Sequence, residues 1–125
     1  MTLTTFSELL LGICRSGVVL QQGTIAPSQI VSATKTNVCY LWNTSKISVP
    51  ISDLYDAAQA FKGRRIRARD LVDFRPQIFG RARHPCNCTF LFCLLLRLGL
   101  AEELQGRGGP KSPFSIFVRN EERAE

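Results

Sequence analysis

Apolar side chains recur along this chain with two different periods, and the switches between them mark its elements. Behind Thr5-Phe6-Ser7-Glu8, which reads as a capping box, Phe6, Leu9, Leu10 and Ile13 return at helical spacing. Gly17 is placed to end that helix. The period then shortens. Gln29 to Ala33 suits a strand, and Val38-Cys39-Tyr40-Leu41-Trp42 is a stronger candidate, rich in β-formers. A turn at Asn43-Thr44-Ser45-Lys46 leads into the alternation of Lys46-Ile47-Ser48-Val49, so the two runs predict a hairpin.

Helical spacing returns after Pro50. Ser52 is the expected cap, with Asp53 and Asp56 near the positive end of the helix dipole. Leu54, Ala57, Ala58 and Phe61 make one apolar stripe, closed by Gly63. Arg64 to Arg67 is a short basic extended piece, and Arg69 to Phe74 a brief helix that Pro76 stops. Next comes a helix capped by Asn87 or Thr89, running to about Leu98 with Gly99 as its stop. Its body is apolar on every side, and such a helix is buried on every side. Leu100 to Leu104 and Phe114 to Val118 then flank a polar loop, and the tail from Arg119 is charged.

Composition sets the class of molecule. With 125 residues, 45% hydrophobic and 21% charged, the chain can bury a core without disulfide staples. Five cysteines form an odd set with no framework spacing, and the N-terminus has no leading cation before Glu8. A cytoplasmic protein with reduced thiols is the expectation. The longest apolar run is too short to span a membrane, so no membrane partner is expected.

Charge changes the picture more. Between Lys62 and Arg83 lie eight cations and two anions, so the whole net charge of +6 sits in one segment. Seven of those cations are arginines, whose planar fork suits phosphate and carboxylate groups.

Candidate chemistry is sparser. His84, Cys86 and Cys88 offer three metal-ligating side chains in five residues. Structural zinc sites use wider gaps within a pair and need a second pair, so no metal is expected. Cys86, downstream of Arg81, Arg83 and His84, sits where a thiol pKa is lowered, but no third group orients the histidine. Gly106-Arg107-Gly108-Gly109 lacks the strand-to-helix setting of a phosphate loop. No catalytic residue and no cofactor emerge, and a binding module is preferred to an enzyme.

From Ser52 onward the order is helix, short basic strand, short helix, apolar helix, strand, polar loop, strand. This order resembles the winged helix-turn-helix family. The likeness rests on Ile66-Arg67-Ala68-Arg69-Asp70-Leu71, on Leu96-Arg97-Leu98-Gly99-Leu100-Ala101-Glu102, and on Arg107-Gly108-Gly109-Pro110-Lys111 as the wing tip. It implies a third helix in the major groove and a wing on the backbone. Here the third helix departs from the family: Thr89 to Leu98 offers only Thr89 and Arg97 as polar side chains. Backbone contact with little sequence choice is what remains.

The sequence therefore predicts a single α+β domain over residues 1–125, frayed at 119–125. It has an N-terminal helix, a β-hairpin, two or three further helices around a buried apolar helix, and a C-terminal strand pair. Its expected role is a homodimeric binding or regulatory module touching DNA or RNA backbone through Arg64, Arg65, Arg67, Arg69, Arg107 and Lys111. The competing expectation is a homo-oligomeric protein- or small-ligand-binding module. It rests on the excess of large apolar groups: Phe79, Phe90, Phe92, Leu94, Leu95, Phe114 and Phe117.

Overall fold

A computed structural model describes residues 1–80 and 86–120. Its architecture is α+β, as the periodicities predict. Helix α1 (Leu3–Ile13) begins a turn earlier than expected. Thr2, not Thr5, is the cap, its hydroxyl accepting from the Thr5 amide at 3.1 Å. The earlier start is anchored by Met1, whose carbonyl accepts from the Tyr55 hydroxyl at 2.7 Å. Phe6 and Leu10, one turn apart, are the side chains α1 buries.

The predicted hairpin is half of a larger sheet. Strands β1 (Val19–Leu20), β2 (Ser28–Ala33), β3 (Asn37–Trp42) and β4 (Ser45–Pro50) form an antiparallel meander in chain order. Asn43, at φ 56°, makes the two-residue turn between β3 and β4. A bulge at Val31 lets Ile30 stay opposite Tyr40 while Ser32 meets Cys39. Val38, Tyr40, Ile47 and Val49 form the buried face, paired as Tyr40–Ile47 and Val38–Val49.

Helix α2 (Ile51–Ala60) follows β4 without a linker. Pro50 takes the cap position and no side chain caps the helix, so Ser52 does not have the capping role its type suggested. The reason is Ile51: it is buried, and the helix must start there to seat it. The expected stripe of Leu54, Ala57, Ala58 and Phe61 is buried. Strand β5 (Arg65–Arg67) leads straight into α3 (Ala68–Phe74). Pro76 ends α3 and also opens a one-turn helix, α4 (Pro76–Phe79), where its missing N–H costs nothing.

Helix α5 (Cys86–Leu98) is the centre of the core. Ten of its 13 residues are buried, and it packs against α1, α3, α4, β1 and β6. Neither expected cap acts as one: Asn87 is drawn into the core, and the Thr89 hydroxyl donates back to the Cys86 carbonyl. Gly99, at φ 75°, does end the helix. The Leu100 amide donates to Leu95 and the Gly99 amide to Leu96, the paired bonds of a Schellman stop.

Strands β6 (Ala101–Gln105) and β7 (Ser115–Val118) make the expected pair, and β5 adds a third strand in the order β5–β7–β6. Side chains from both sheets and all five helices meet in one apolar cluster. No helix among the described residues is long and apolar enough to cross a membrane.

Candidate nucleic-acid interface

Folding divides the basic segment. Arg75 leaves the charge patch altogether: its guanidinium donates to Asp53 at 2.6 Å and to Asp56 at 2.9 Å, and lies over the Phe74 ring. The two carboxylates on α2, Asp56 first, push its pKa above the ordinary arginine value. These aspartates thus clamp α2 to the end of α3. Arg65 is also engaged. It donates to the Glu103 carboxylate at 2.9 Å, to the Glu103 carbonyl and to the Ser115 hydroxyl, tying β5 across β7 to β6.

The remaining predicted contacts fall at two ends of the three-stranded sheet. Arg67 pairs with Ser115, which in turn faces Gln105, so Arg67 sits where the 106–114 loop leaves the sheet. Arg69 follows in the first turn of α3, whose Asp70 carboxylate accepts from the Arg67 amide at 2.8 Å. Arg67, Arg69, Arg107 and Lys111 are all exposed, and none has a carboxylate partner among the described residues. Arg64 lies about 10 Å back along β5. There its carbonyl accepts from Val118 and its guanidinium rests over Phe61, 5.1 Å from the ring centroid.

The loop itself is tightly built. Arg107 and Gly108 amides both donate to the Ser112 carbonyl at 2.9 Å, with Gly109 at 3.4 Å, and the Ser112 amide returns to the Gly109 carbonyl at 3.1 Å. Pro110 and Lys111 are the centre of that four-residue turn, with proline at the position its fixed φ suits.

No protein-family model, no curated protein and no solved structure matches this chain.

Four of the five cysteines, all but Cys39, are buried in the core. Cys86 is buried and accepts from the Tyr40 hydroxyl at 3.2 Å, while Cys88 points to the Phe79 and Ala68 carbonyls. Burial pushes the Cys88 and Cys14 thiols up to about 12 and Cys93 to about 11, the opposite of nucleophile activation. Among the described residues no group of histidine, cysteine or carboxylate side chains is arranged to hold a metal. His84, with Arg81 and Arg83, lies outside the described residues.

One feature was invisible from spacing. The Tyr40 hydroxyl donates at 2.7 Å to the Asn87 amide oxygen, and the Asn87 amide nitrogen donates to the Ile78 carbonyl at 2.9 Å. This chain joins the meander, α5 and α4, and the Tyr40 ring stacks on Phe90 at 4.2 Å. Burial, then the bond to Cys86, raises the Tyr40 pKa well above the phenol range.

Proposed function

We propose that this protein contacts the phosphate backbone of nucleic-acid duplexes, with little sequence readout. The observation that carries the reading is the cluster at one end of the second sheet. Arg67 and Arg69 stand beside a loop bearing Arg107 and Lys111, four exposed cations with no carboxylate partner among the described residues. Arg65 contributes to this end by holding β5 to β6, and its charge is already met by Glu103.

The order α2, β5, α3, α5, β6, β7, with the one-turn α4 inserted between α3 and α5 and strands arranged β5–β7–β6, supports the resemblance to winged helix-turn-helix domains. In that arrangement α5 occupies the place of the recognition helix. Its side chains are spent on the core, so it has no polar face for base edges. Recognition then falls to backbone contact, which is electrostatic and sequence-blind. Of the seven large apolar groups behind the oligomeric ligand-binding alternative, Phe79, Phe90, Phe92, Leu94 and Leu95 are fully buried within the fold, while Phe114 and Phe117 are half-buried. Among the described residues only Leu3 and Val19 are large apolar groups left exposed. A homodimer is not needed to cover α5.

The test is a titration of DNA and RNA duplexes of two unrelated sequences across a salt series. Affinity should fall steeply with salt and differ little between sequences. Arg67→Ala/Arg69→Ala should reduce the log–log salt slope by up to about 1.8, about 0.9 for each phosphate that is no longer neutralised. An unchanged slope, or no binding at low salt, removes the assignment.

A further inference from the structure

We propose that the 106–114 loop is a preformed positioning device, whose shape, independently of its charge, sets how well Arg107 and Lys111 meet a duplex backbone. The inference rests on the phosphate-contacting role proposed above and asks what makes that contact efficient.

The loop has one way to close. Three successive amides, Arg107, Gly108 and Gly109, converge on the single carbonyl oxygen of Ser112, and the Arg107 amide also reaches the Ser112 hydroxyl at 3.2 Å. Such a run of amides around one oxygen makes a concavity of the kind that binds anions, and here the protein's own carbonyl fills it. Gly106 and Gly108 stand at φ 91° and 87°, a region that L side chains enter only with strain. A Cβ at Gly106 would lie 2.1 Å from the Pro113 carbonyl oxygen, and one at Gly108 2.4 Å from the Phe114 ring. Phe114 is half-buried against the main core, so the ring that packs on Gly108 also keys the loop to the domain. Gly109 is different: its φ is ordinary and nothing lies near an added Cβ.

The two cations are thereby carried at fixed places on a closed turn. Arg107 leads into it, and Lys111 is at its centre beside Pro110. A long flexible loop with the same charges would have to be ordered on binding, and that cost appears as weaker affinity. Charge and shape can be separated because they act on different observables. Removing a phosphate-binding cation lowers the salt slope. Loosening the loop lowers affinity at every salt concentration and leaves the slope alone.

The experiment compares Gly108→Ala with Gly109→Ala in duplex titrations, DNA and RNA in separate arms. Gly108→Ala should weaken binding about tenfold at all salt concentrations with an unchanged slope, while Gly109→Ala binds as the wild type does. Two glycines inserted between Gly109 and Pro110 should reproduce the Gly108→Ala result, and they leave the Phe114 ring in place should that variant fold poorly. Arg107→Ala/Lys111→Ala is the charge reference and should lower the slope by up to about 1.8. If Gly108→Ala and the insertion bind like wild type while the charge variant loses slope, the shape claim falls and the phosphate-binding reading stands. If the wild type binds no duplex in either arm, both fall.

Discussion

Helix α5 and the 106–114 loop divide the molecule's work between them. One is 13 residues with ten buried, the other a glycine-rich turn whose cations are in solvent. Both are specified in detail, by opposite means. In α5, side-chain volume does the specifying: Phe90, Leu91, Phe92, Cys93, Leu94 and Leu95 are six consecutive buried residues, enclosed by the meander and the neighbouring helices. In the loop, backbone hydrogen bonds and glycine conformations do it, leaving side chains free. The separation teaches that stability and binding should respond to different substitutions in this fold.

The sharpest way to break that comparison is in the helix. Phe90→Ala should cost about 3–5 kcal/mol, because it empties a fully buried site and removes the stack on Tyr40. Urea denaturation measures the destabilisation, and duplex binding by the folded fraction should keep its salt slope. A slope that changed with Phe90 would mean that core and interface are coupled.

A second separation comes from pH. The thiols of Cys14, Cys88 and Cys93 are held at about 12, about 12 and about 11, against an ordinary value of 9.0. An unfolded chain ionises them first and so binds fewer protons above that ordinary value. Their contribution is therefore fully present below it and is lost as pH rises towards the folded values. Each thiol can remove up to about 1.4 kcal/mol of stability per pH unit in that window. Urea midpoints between about pH 8 and about pH 10.5 should fall accordingly. A Cys88→Ala variant should show a shallower decline, whereas equal slopes would place the alkaline sensitivity elsewhere.

The helix and the loop were unequally legible in the sequence. The all-round burial of α5 followed from its composition, because no face of the run from Phe90 to Leu96 carries a charge. The strands of the second sheet and the Gly99 stop were legible for the same local reasons. Local capping preference misleads at Thr5, Ser52 and Asn87. At each, a tertiary demand overrides it: the Met1–Tyr55 anchor, the burial of Ile51, and the hydroxyl of Tyr40. Charge was legible only in part. The count between Lys62 and Arg83 treats neighbours in sequence as neighbours in space. It takes no account of Asp53 and Asp56 reaching Arg75 across 22 and 19 residues, or of Glu103 reaching Arg65 across 38.

Arg75 turns that lesson into a measurement. Its side chain and that of Asp53 are about one-fifth exposed, so the pair is only partly screened. Arg75→Met keeps the stem over Phe74, removes both charge-assisted bonds, and should cost about 2 kcal/mol in urea denaturation. The duplex salt slope should not move, since the charge is already met inside the protein. A slope reduced by a full unit would return Arg75 to the interface.

The smallest effect is expected at Arg64. It stands at the end of β5 away from the loop, and its guanidinium rests on Phe61 at the surface, worth about 0.5–1 kcal/mol. Arg64→Ala should therefore lower stability by no more than that, and shift the duplex slope less than Arg67→Ala does. The two arginines are near neighbours in the chain, and a sequence count treats them as equivalent. If both variants lower the slope by the amount expected for one phosphate, the duplex lies along the whole of β5. If only Arg67→Ala does, binding is confined to the loop end of the sheet, where Arg69, Arg107 and Lys111 stand.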